Sequence, residues 1–313
     1  MMFTDESNIL VVGGEGAIGR KLLETLPSLE SVYVVDRNID STHQGNSRFI
    51  QCDLTDLNKV DSIKHQLPGN LSVIFLASSL VRPSSPENIS NMINETVVGT
   101  VNLINVLARK ISHFIYISSI SVYGESLKGP SVEASPVNPK SIYGTSKACG
   151  ELFVSTLCRH FGIKSTTIRL AQLFDLESAE HTLPHQLMNK LASRDNLKIS
   201  CDPDIKRDYL HVIDFVELLK DMIKEPIQGI FNVGSGRGLS IGDLFKAAYT
   251  SFQIPFNLNN HVSQSMSSAS SLYMESSKIH QTYDFRPKRS IEDWFNEKAR
   301  QVRKKPQSER HQI

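Results

Sequence analysis

The chain has 313 residues, of which 40% are hydrophobic and 21% charged, and its formal net charge is +1 at pH 7. These values are typical of an ordinary globular protein and argue against a disordered or fibrous one. Nucleic-acid binding is not expected, because the charges are balanced and basic residues cluster only at residues 300–305.

Cysteine spacing and the lengths of the apolar runs indicate in which cellular compartment the protein is expected. The four cysteines form neither a CxxC pair nor a regular framework, and the ten histidines lack metal-ligand spacing. We therefore expect no metal site, no disulfide scaffold and a reducing cytoplasm. The first eight residues are polar and acidic, and the apolar runs are shorter than the roughly 20 residues that span a bilayer, so we expect no signal peptide and no membrane contact.

Short β-branched apolar runs alternate with longer helical patterns through the first half of the chain. The runs predict buried strands at residues 8–12, 31–35, 48–51, 72–76, 113–118 and 165–170. The longer patterns predict crossover helices at residues 19–26, 57–66, 91–110 and 143–161. This alternation predicts an α/β protein with a Rossmann-type, doubly wound parallel sheet, whose ligands bind at the carboxyl ends of its strands.

The alternation loosens after residue 171, where short strands, helices and loops mix. We expect residues 1–170 to form a dinucleotide-binding Rossmann domain and residues 171–313 to form a smaller mixed α/β domain that mainly binds substrate. Part of the second half, around residues 210–235, is expected to return to the Rossmann domain, with a strand at 229–233. The serine-rich run 263–271 is expected to be a surface loop.

A glycine-rich turn follows the first predicted strand. Gly13, Gly16 and Gly19 are separated by two residues each, and a helix is predicted to begin near Arg20. Glycines between a strand and a helix permit a tight turn and close approach of a pyrophosphate, which the N–H groups of this segment, with Ala17 and Ile18, would bind. The turn therefore predicts a dinucleotide cofactor.

Acidic residues after the second and third strands indicate which dinucleotide binds. Asp36 could accept hydrogen bonds from both adenosine ribose hydroxyls and repel a 2′-phosphate, which favours NAD over NADP. Arg37 leaves the alternative open, since a guanidinium could pair with that phosphate. Asp53 could accept from the adenine amino group, although Asp53 or Thr55 could instead be a helix N-cap.

Tyr143 and Lys147 lie four residues apart in YGTSK, and hence on one face of a predicted helix. A nearby ammonium and a positive nicotinamide ring both favour a phenolate, so Tyr143 could act as an acid/base at neutral pH. Lys147 would also anchor the nicotinamide ribose. A solvent-exposed Tyr–Lys pair would be the default for YxxxK alone.

Hydroxyl groups at the end of the strand before Tyr143 strengthen the catalytic interpretation. Ser118, Ser119 and Ser121 follow an apolar strand, and any of them could hydrogen-bond a reacting sugar oxygen. Alternatively, the serines could simply cap the strand end.

The chain resembles the extended short-chain dehydrogenase/reductase family, within its NAD-dependent nucleotide-sugar epimerase/dehydratase group, over nearly its full length. The resemblance rests on eight ordered segments, which are VVGGEGAIG at 11–19, Asp36, Asp53-Leu54, Phe75-Leu76-Ala77-Ser78, SSISVYG at 118–124, YGTSK at 143–147 with Glu151, Arg207-Asp208-Tyr209 and FNVGSG at 231–236. It implies a homodimer, a cofactor site that includes Leu54, Leu76, Ala77 and Ser78, and a catalytic set of Ser119, Tyr143 and Lys147.

The resemblance also implies that Arg207 contacts a nucleotide diphosphate, although an ion pair with Asp208 or Asp214 is an open alternative. Other segments depart from the family pattern. Ile120 and Ser121 replace the Asp-Glu pair of the dehydratases, which disfavours dehydration. Thr96 replaces an asparagine, and Gln172 offers an amide from a longer side chain than usual. These changes concern the substrate pocket.

Three functions remain open. The first is an epimerase of a nucleotide sugar, 4-epimerase-like, in which a transient keto sugar is formed and reduced again, so that NAD stays bound. The second is an NAD(P)-dependent reductase or dehydrogenase of a keto sugar or related hydroxy compound, which exchanges its cofactor in every cycle. The third is a non-catalytic dinucleotide-sensing protein, suggested only by the altered pocket segments.

Overall fold

The structure of the protein, a computed structural model, describes residues 8–26, 30–43, 45–46, 48–78, 85–126, 129–176, 182–195, 197–263 and 269–304. The chain forms two compact units. The first contains the described residues up to Gly124, together with Glu133–Leu170 and Val216–Val233. The second contains Glu125–Val132, Ala171–Phe215 and the described residues from Gly234 onward.

The first unit is built on a seven-stranded, wholly parallel sheet. Its strands are β1 (Asn8–Val12), β2 (Val32–Asp36), β3 (Phe49–Gln51), β4 (Leu71–Phe75), β5 (Ile111–Ser119), β6 (Lys164–Leu170) and β10 (Gly229–Val233). Their order across the sheet is β3-β2-β1-β4-β5-β6-β10. The predicted doubly wound parallel sheet is therefore confirmed, and the strand at 229–233 pairs with β6. The strand order reverses between β1 and β4, where folds of this kind bind their ligands.

Helices connect the strands of this sheet. They are α1 (Ala17–Thr25), α2 (Leu57–Ile63), α3 (Pro86–Ile93), α4 (Gly99–Leu107), α5 (Ile142–Phe161) and α7 (Val212–Lys224), the last of which begins in the second unit. Several helix boundaries differ from the predictions by one or more residues. α1 begins at Ala17, before Gly19, because an extended Gly16 is its N-cap. The helix expected at 91–110 begins at Pro86 and contains a π-helical turn over Asn94–Val98.

The second unit has its own core and two short sheets. β7 (Gln172–Phe174) pairs in parallel with β9 (Tyr209–His211), and β8 (Lys206–Arg207) pairs antiparallel with β11 (Leu239–Ser240). Its helices are α6 (Leu183–Ala192), α8 (Ile241–Ser251), α9 (Ser277–Thr282) and α10 (Ile291–Lys304). Aromatic residues such as Phe174, Phe245 and Trp294 fill the core. Residues 264–268 of the predicted surface loop lie outside the described residues.

No helix in the described ranges is both long and apolar enough to cross a bilayer.

Candidate active site

The glycine-rich turn connects β1 to α1 next to the exit of β4. Gly13 has a φ of +82°, and a Cβ at this position would lie 2.7 Å from the backbone nitrogen of Ala77. A Cβ on Gly19 would lie 2.5 Å from the Cα of Gly14. Only glycine therefore permits the backbone conformation at Gly13 and the close packing of helix against turn at Gly19.

The start of α1 presents backbone N–H groups at this turn. Gly16 is the N-cap, and no side chain in the described part of the protein caps the helix there. The first N–H groups of a helix, here those of Ala17 and Ile18, have no intrahelical partner and lie at the positive end of the helix dipole. The turn therefore fits the pyrophosphate of a dinucleotide.

Asp36 ends β2 beside the glycine turn and is held in place by backbone donors. Its carboxylate accepts hydrogen bonds from the backbone N–H of Glu15 at 3.1 Å and of Asn38 at 3.2 Å. Arg37 points to a different carboxylate, because its Nη2 donates to Glu95 Oε1 at 2.5 Å. Glu95 raises the pKa of this guanidinium further above its usual value.

A cavity of about 460 Å³ lies at this end of the first unit, a size typical of small-molecule sites. Its lining includes half of the residues expected to bind the cofactor and several that the sequence did not single out. It comprises Gly13, Glu15, Gly16, Arg20, Asp36, Arg37, Asn38, Ile39, Asp40, Leu76, Ala77, Ser78 and Glu95. The sequence signal for Glu15 was its place inside the glycine motif, whereas nothing in the sequence indicated Glu95.

The residues after β3 make local contacts, and the predicted contact of Asp53 with the adenine amino group stays a prediction. Asp53 accepts hydrogen bonds from the backbone N–H and the hydroxyl of Thr55, at 3.0 and 2.8 Å. The alternative that Asp53 or Thr55 is the N-cap of α2 was wrong, because Asp56 is that cap and accepts from the N–H groups at the helix start. Leu54 is buried and packs against Gly99, whose Cβ would lie 3.1 Å from the Leu54 Cβ.

Tyr143 lies in the first turn of α5, facing the ends of β4 and β5. Its phenol contacts the hydroxyl groups of Ser119 and Ser78. Ser78 Oγ is buried and has no partner with full hydrogen-bond geometry among the described residues, so it could serve a bound molecule. A Cβ on Gly144 would lie 2.5 Å from the carbonyl oxygen of Ser121. Gly144 therefore allows the helix to approach the serine segment closely.

Lys147 is 2% exposed, so the exposed-pair alternative does not describe it. Its Nζ donates to the carbonyl oxygen of Ile117 at 2.8 Å and lies 5.9 Å from the centre of the Tyr143 ring. Burial lowers the pKa of Lys147 to about 7, against the opposing charge of Glu151. The ammonium is therefore readily deprotonated near neutral pH.

The pKa of Tyr143 differs from the direction expected from the sequence. Burial raises it to about 12, and the hydroxyls of Ser119 and Ser78 only partly offset this. Desolvation disfavours the charged phenolate more than these neighbours favour it. A phenolate at neutral pH would thus need additional positive charge close to the ring.

All three candidate serine hydroxyls have protein partners. Ser118 is buried and donates to Glu151 Oε1 at 2.5 Å, which removes it from the candidates. Ser119 Oγ accepts from the backbone N–H of Ser121 at 3.1 Å, so it caps the following turn as well as contacting Tyr143. The Ser119 and Ser121 hydroxyls are 3.2 Å apart.

A buried ion pair lies behind these residues and was not predicted. Glu151, one helical turn after Lys147, receives hydrogen bonds from Nε and Nη2 of Arg169 on β6, the shortest at 2.7 Å. Arg169 Nη1 also donates to the hydroxyl of Tyr123 at 3.0 Å. The pair connects the helix of Lys147 to the central sheet.

Gln172 and Arg207 both lie in the second unit, where Gln172 begins β7. The Arg207 guanidinium donates to the carbonyl oxygens of Lys206 and Ser270, at 2.9 and 2.6 Å. The alternative of an ion pair with Asp208 or Asp214 was therefore wrong. Those two carboxylates bind other groups: Asp208 accepts from Ser235, and Asp214 accepts from the backbone N–H groups of residues 288 and 289 and from a guanidinium.

Comparison with known proteins gives concordant results. The UDP-glucose 4-epimerase of Halalkalibacterium halodurans is 27% identical over 263 residues, covering 76% of this chain and 78% of the relative. A UDP-glucose 4-epimerase structure from Thermotoga maritima, with UDP-glucose, matches with a TM-score of 0.80 and 22% identity, covering 95% and 99% of the two chains. RMD from Pseudomonas aeruginosa, complexed with NADPH, matches with a TM-score of 0.77 and 20% identity, covering 95% and 97%.

At these identities the two structures demonstrate a shared fold, and the family follows from the sequence itself. A sequence model of the NAD dependent epimerase/dehydratase family matches residues 9–234, which is most of the chain. The chain therefore belongs to the NAD dependent epimerase/dehydratase family.

Proposed function

We propose that the protein is an NAD-dependent epimerase of nucleotide sugars that inverts a sugar carbon, as a 4-epimerase does, through a transient keto sugar. The observation that carries this proposal is the contact of the Tyr143 phenol with the Ser119 hydroxyl, beside a buried Lys147. Membership of the family and similarity to UDP-glucose 4-epimerases support the same reaction.

The cofactor would be held by the glycine turn, Asp36, the segment from Leu76 to Ser78, and Lys147. The free N–H groups at the start of α1 and the buried Ser78 hydroxyl beside the Tyr143 phenol support this fit. Bound NAD would supply a hydride acceptor and donor and, in its oxidised form, a positive charge. That charge is what a phenol with a raised pKa requires.

The side chains of the protein would carry out the proton transfer. Tyr143 accepts the proton of the sugar hydroxyl as the alcohol becomes a ketone, and returns it when the ketone is reduced on its opposite face. Ser119 holds the reacting oxygen, with Ser121 as its neighbour. Lys147 supports the phenol and releases or gains a proton easily near pH 7, since burial lowers its pKa to about 7.

The remaining substrate contacts are carried over from the family resemblance. Arg207 would bind the nucleotide diphosphate, because a guanidinium fits phosphate oxygens and the bonds of its Nη1 to the carbonyl oxygens of Lys206 and Ser270 hold the side chain in place. Gln172 would offer its amide to the sugar. Replacement of either side chain should raise KM for the nucleotide sugar more than it lowers kcat.

Replacement of Tyr143 by Phe tests the proposal. Tyr143→Phe should lose about 10²- to 10⁴-fold in turnover, since general acid–base catalysis contributes that much, while retaining bound dinucleotide. Tyr33→Phe, at a partly exposed tyrosine on β2, is the control and should keep full activity. A UDP- and dTDP-sugar panel with product analysis supplies the assay. Full activity in Tyr143→Phe would contradict the proposal.

A keto-sugar reductase or dehydrogenase is the alternative that uses the same residues. An epimerase leaves the net redox state unchanged and should be purified with NAD(H), whereas a reductase should consume reduced nicotinamide in proportion to substrate. The absorbance of reduced nicotinamide during turnover distinguishes the two. Tight binding with no turnover on the panel would instead support a dinucleotide sensor.

We also propose that the protein is a homodimer that pairs through the helices α3 to α5. Leu152 and Phe153 are 70% and 45% exposed on α5, and Ile93 is 43% exposed at the end of α3. Large apolar side chains exposed together are typical of protein interfaces. Leu152→Asp should yield a monomer by light scattering, and Leu57→Asp, at an exposed position on α2, is the control.

The proposed location is a reducing cytoplasm. The spacing of the four cysteines, which form neither a CxxC pair nor a regular framework, supports it. Quantification of thiols in protein from an untreated lysate, with four expected, tests this proposal.

A further inference from the structure

The charges of the cavity at the end of β2 are unevenly distributed. Four carboxylates line it, on Glu15, Asp36, Asp40 and Glu95, against the two guanidinium groups of Arg20 and Arg37. NADP differs from NAD by a 2′-phosphate on the adenosine ribose. Since that phosphate is an anion, it requires a cation that is not already neutralised. The partners of the two arginines therefore determine whether either guanidinium is available to bind the 2′-phosphate.

Both arginines are engaged by carboxylates of the same cavity. Arg20 Nε lies 3.6 Å from Glu15 Oε2, and a second nitrogen lies 3.8 Å from Asp40. Glu15 itself is only 7% exposed, so its charge is poorly screened by solvent. Its other carboxylate oxygen accepts from the backbone N–H of Asp40 at 3.2 Å. This fixes the loop after β2 close to the glycine turn.

Arg37 is the guanidinium that directly follows Asp36, and Glu95 determines where it points. The bond from Arg37 Nη2 to Glu95 Oε1 measures 2.5 Å, and the Glu95 side chain is 18% exposed. Glu95 lies in the π-helical turn over Asn94–Val98, which is part of the first unit. Glu95, the partner of Arg37, thus lies 58 residues further along the sequence and lines the cavity that the adenosine would occupy.

We infer that Glu95 is a specificity-determining residue, which excludes NADP by keeping Arg37 occupied as its ion-pair partner. The inference rests on the proposed function, because it concerns the same dinucleotide site. Asp36 repels the 2′-phosphate, and Glu95 withholds the cation that could otherwise attract it. Removal of the Glu95 charge leaves Arg37 next to the ribose with a free guanidinium.

Dinucleotide binding, measured directly, tests this role. Dissociation constants for NADH and NADPH are obtained from nicotinamide fluorescence on the full chain after removal of any retained cofactor. Glu95→Gln should move the NADPH-to-NADH affinity ratio about tenfold toward NADPH, which corresponds to ~1.4 kcal/mol. Glu95→Gln combined with Arg37→Met should restore the wild-type ratio, because the released guanidinium is then missing.

Arg37→Met alone examines the pairing without changing Glu95. It should not weaken NADPH binding, since the paired guanidinium contributes nothing to it. An unchanged ratio in Glu95→Gln, a shift that persists in the double variant, or a tenfold loss of NADPH affinity in Arg37→Met would each overturn the inference. If the wild-type protein binds neither dinucleotide, the proposed function fails and this inference fails with it.

Discussion

Glu151 and Arg169 form a bidentate ion pair in which neither side chain is more than 8% exposed. Ser118 donates to the same carboxylate at 2.5 Å. One residue of the pair belongs to the helix of Tyr143 and Lys147, and the other to the strand next to that of Ser119. The pair therefore fixes α5, which carries Tyr143 and Lys147, against the strand ends.

Loss of one partner of the Glu151–Arg169 pair should lower the free energy of unfolding. Glu151→Gln leaves a buried guanidinium uncompensated and should destabilise the protein by about 3–5 kcal/mol. Glu24→Gln, in the exposed pair of Lys21 and Glu24 on α1, should cost less than ~1 kcal/mol and is the control. Urea unfolding measures both variants. Equal small effects would contradict a structural role for the buried pair.

Lys147 should cost the protein stability at neutral pH. Its pKa is lowered to about 7 in the fold, against ~10.4 in an unfolded chain. Between these values the unfolded chain binds more protons, so the free energy of unfolding rises with pH, by roughly 3 kcal/mol from pH 7 to 9.5 for this group. Lys147→Met removes this dependence.

Lys147→Met should therefore be more stable than the wild type at pH 7, and the difference in Tm should shrink by pH 9.5. Turnover should be lost at both pH values. Lys59→Met, at a largely exposed lysine on α2, controls for the loss of an ammonium and should show no such trend. A Tm difference independent of pH would show that Lys147 is not destabilised by burial.

Gly144 should be required for the approach of α5 to the serine segment. A methyl group there would lie 2.5 Å from the Ser121 carbonyl oxygen, a backbone atom with little freedom to move. Gly144→Ala should lower kcat by at least tenfold, because a displacement of about 1 Å at a catalytic group can cost 10²-fold. Gly69→Ala, with no atom within 4 Å of the added Cβ, should leave kcat unchanged.

Strands and helix faces, which depend on local periodicity, could be predicted from the sequence. Buried strands such as β1 show continuous β-branched runs, and YGTSK puts Tyr143 and Lys147 on one helix face. Partners of charged side chains could not be predicted, since they depend on which segments the fold brings together. Arg37 meets Glu95 from 58 residues away, and burial raises the pKa of Tyr143 in the protein without its cofactor.

Asp208 offers a final test of what burial does to a charge. Its Oδ1 accepts from the backbone N–H and the hydroxyl of Ser235, at 2.8 and 2.6 Å. Its Oδ2 is buried and has no partner among the described residues. Burial raises the pKa of Asp208 to about 6. Because an unfolded aspartate titrates near ~3.9, the folded protein binds the extra proton between these values, and stability falls as pH rises through that window.

Asp208→Asn should consequently raise stability at pH 8 by about 2–3 kcal/mol, because a neutral amide keeps the acceptor for Ser235 and removes the buried charge. The gain in Tm should largely disappear at pH 4, where the native carboxyl is already protonated. Asp61→Asn, at an exposed aspartate on α2, should change Tm little at either pH. A gain of equal size at pH 4 and pH 8 would mean that packing, rather than the charge of Asp208, determines the effect.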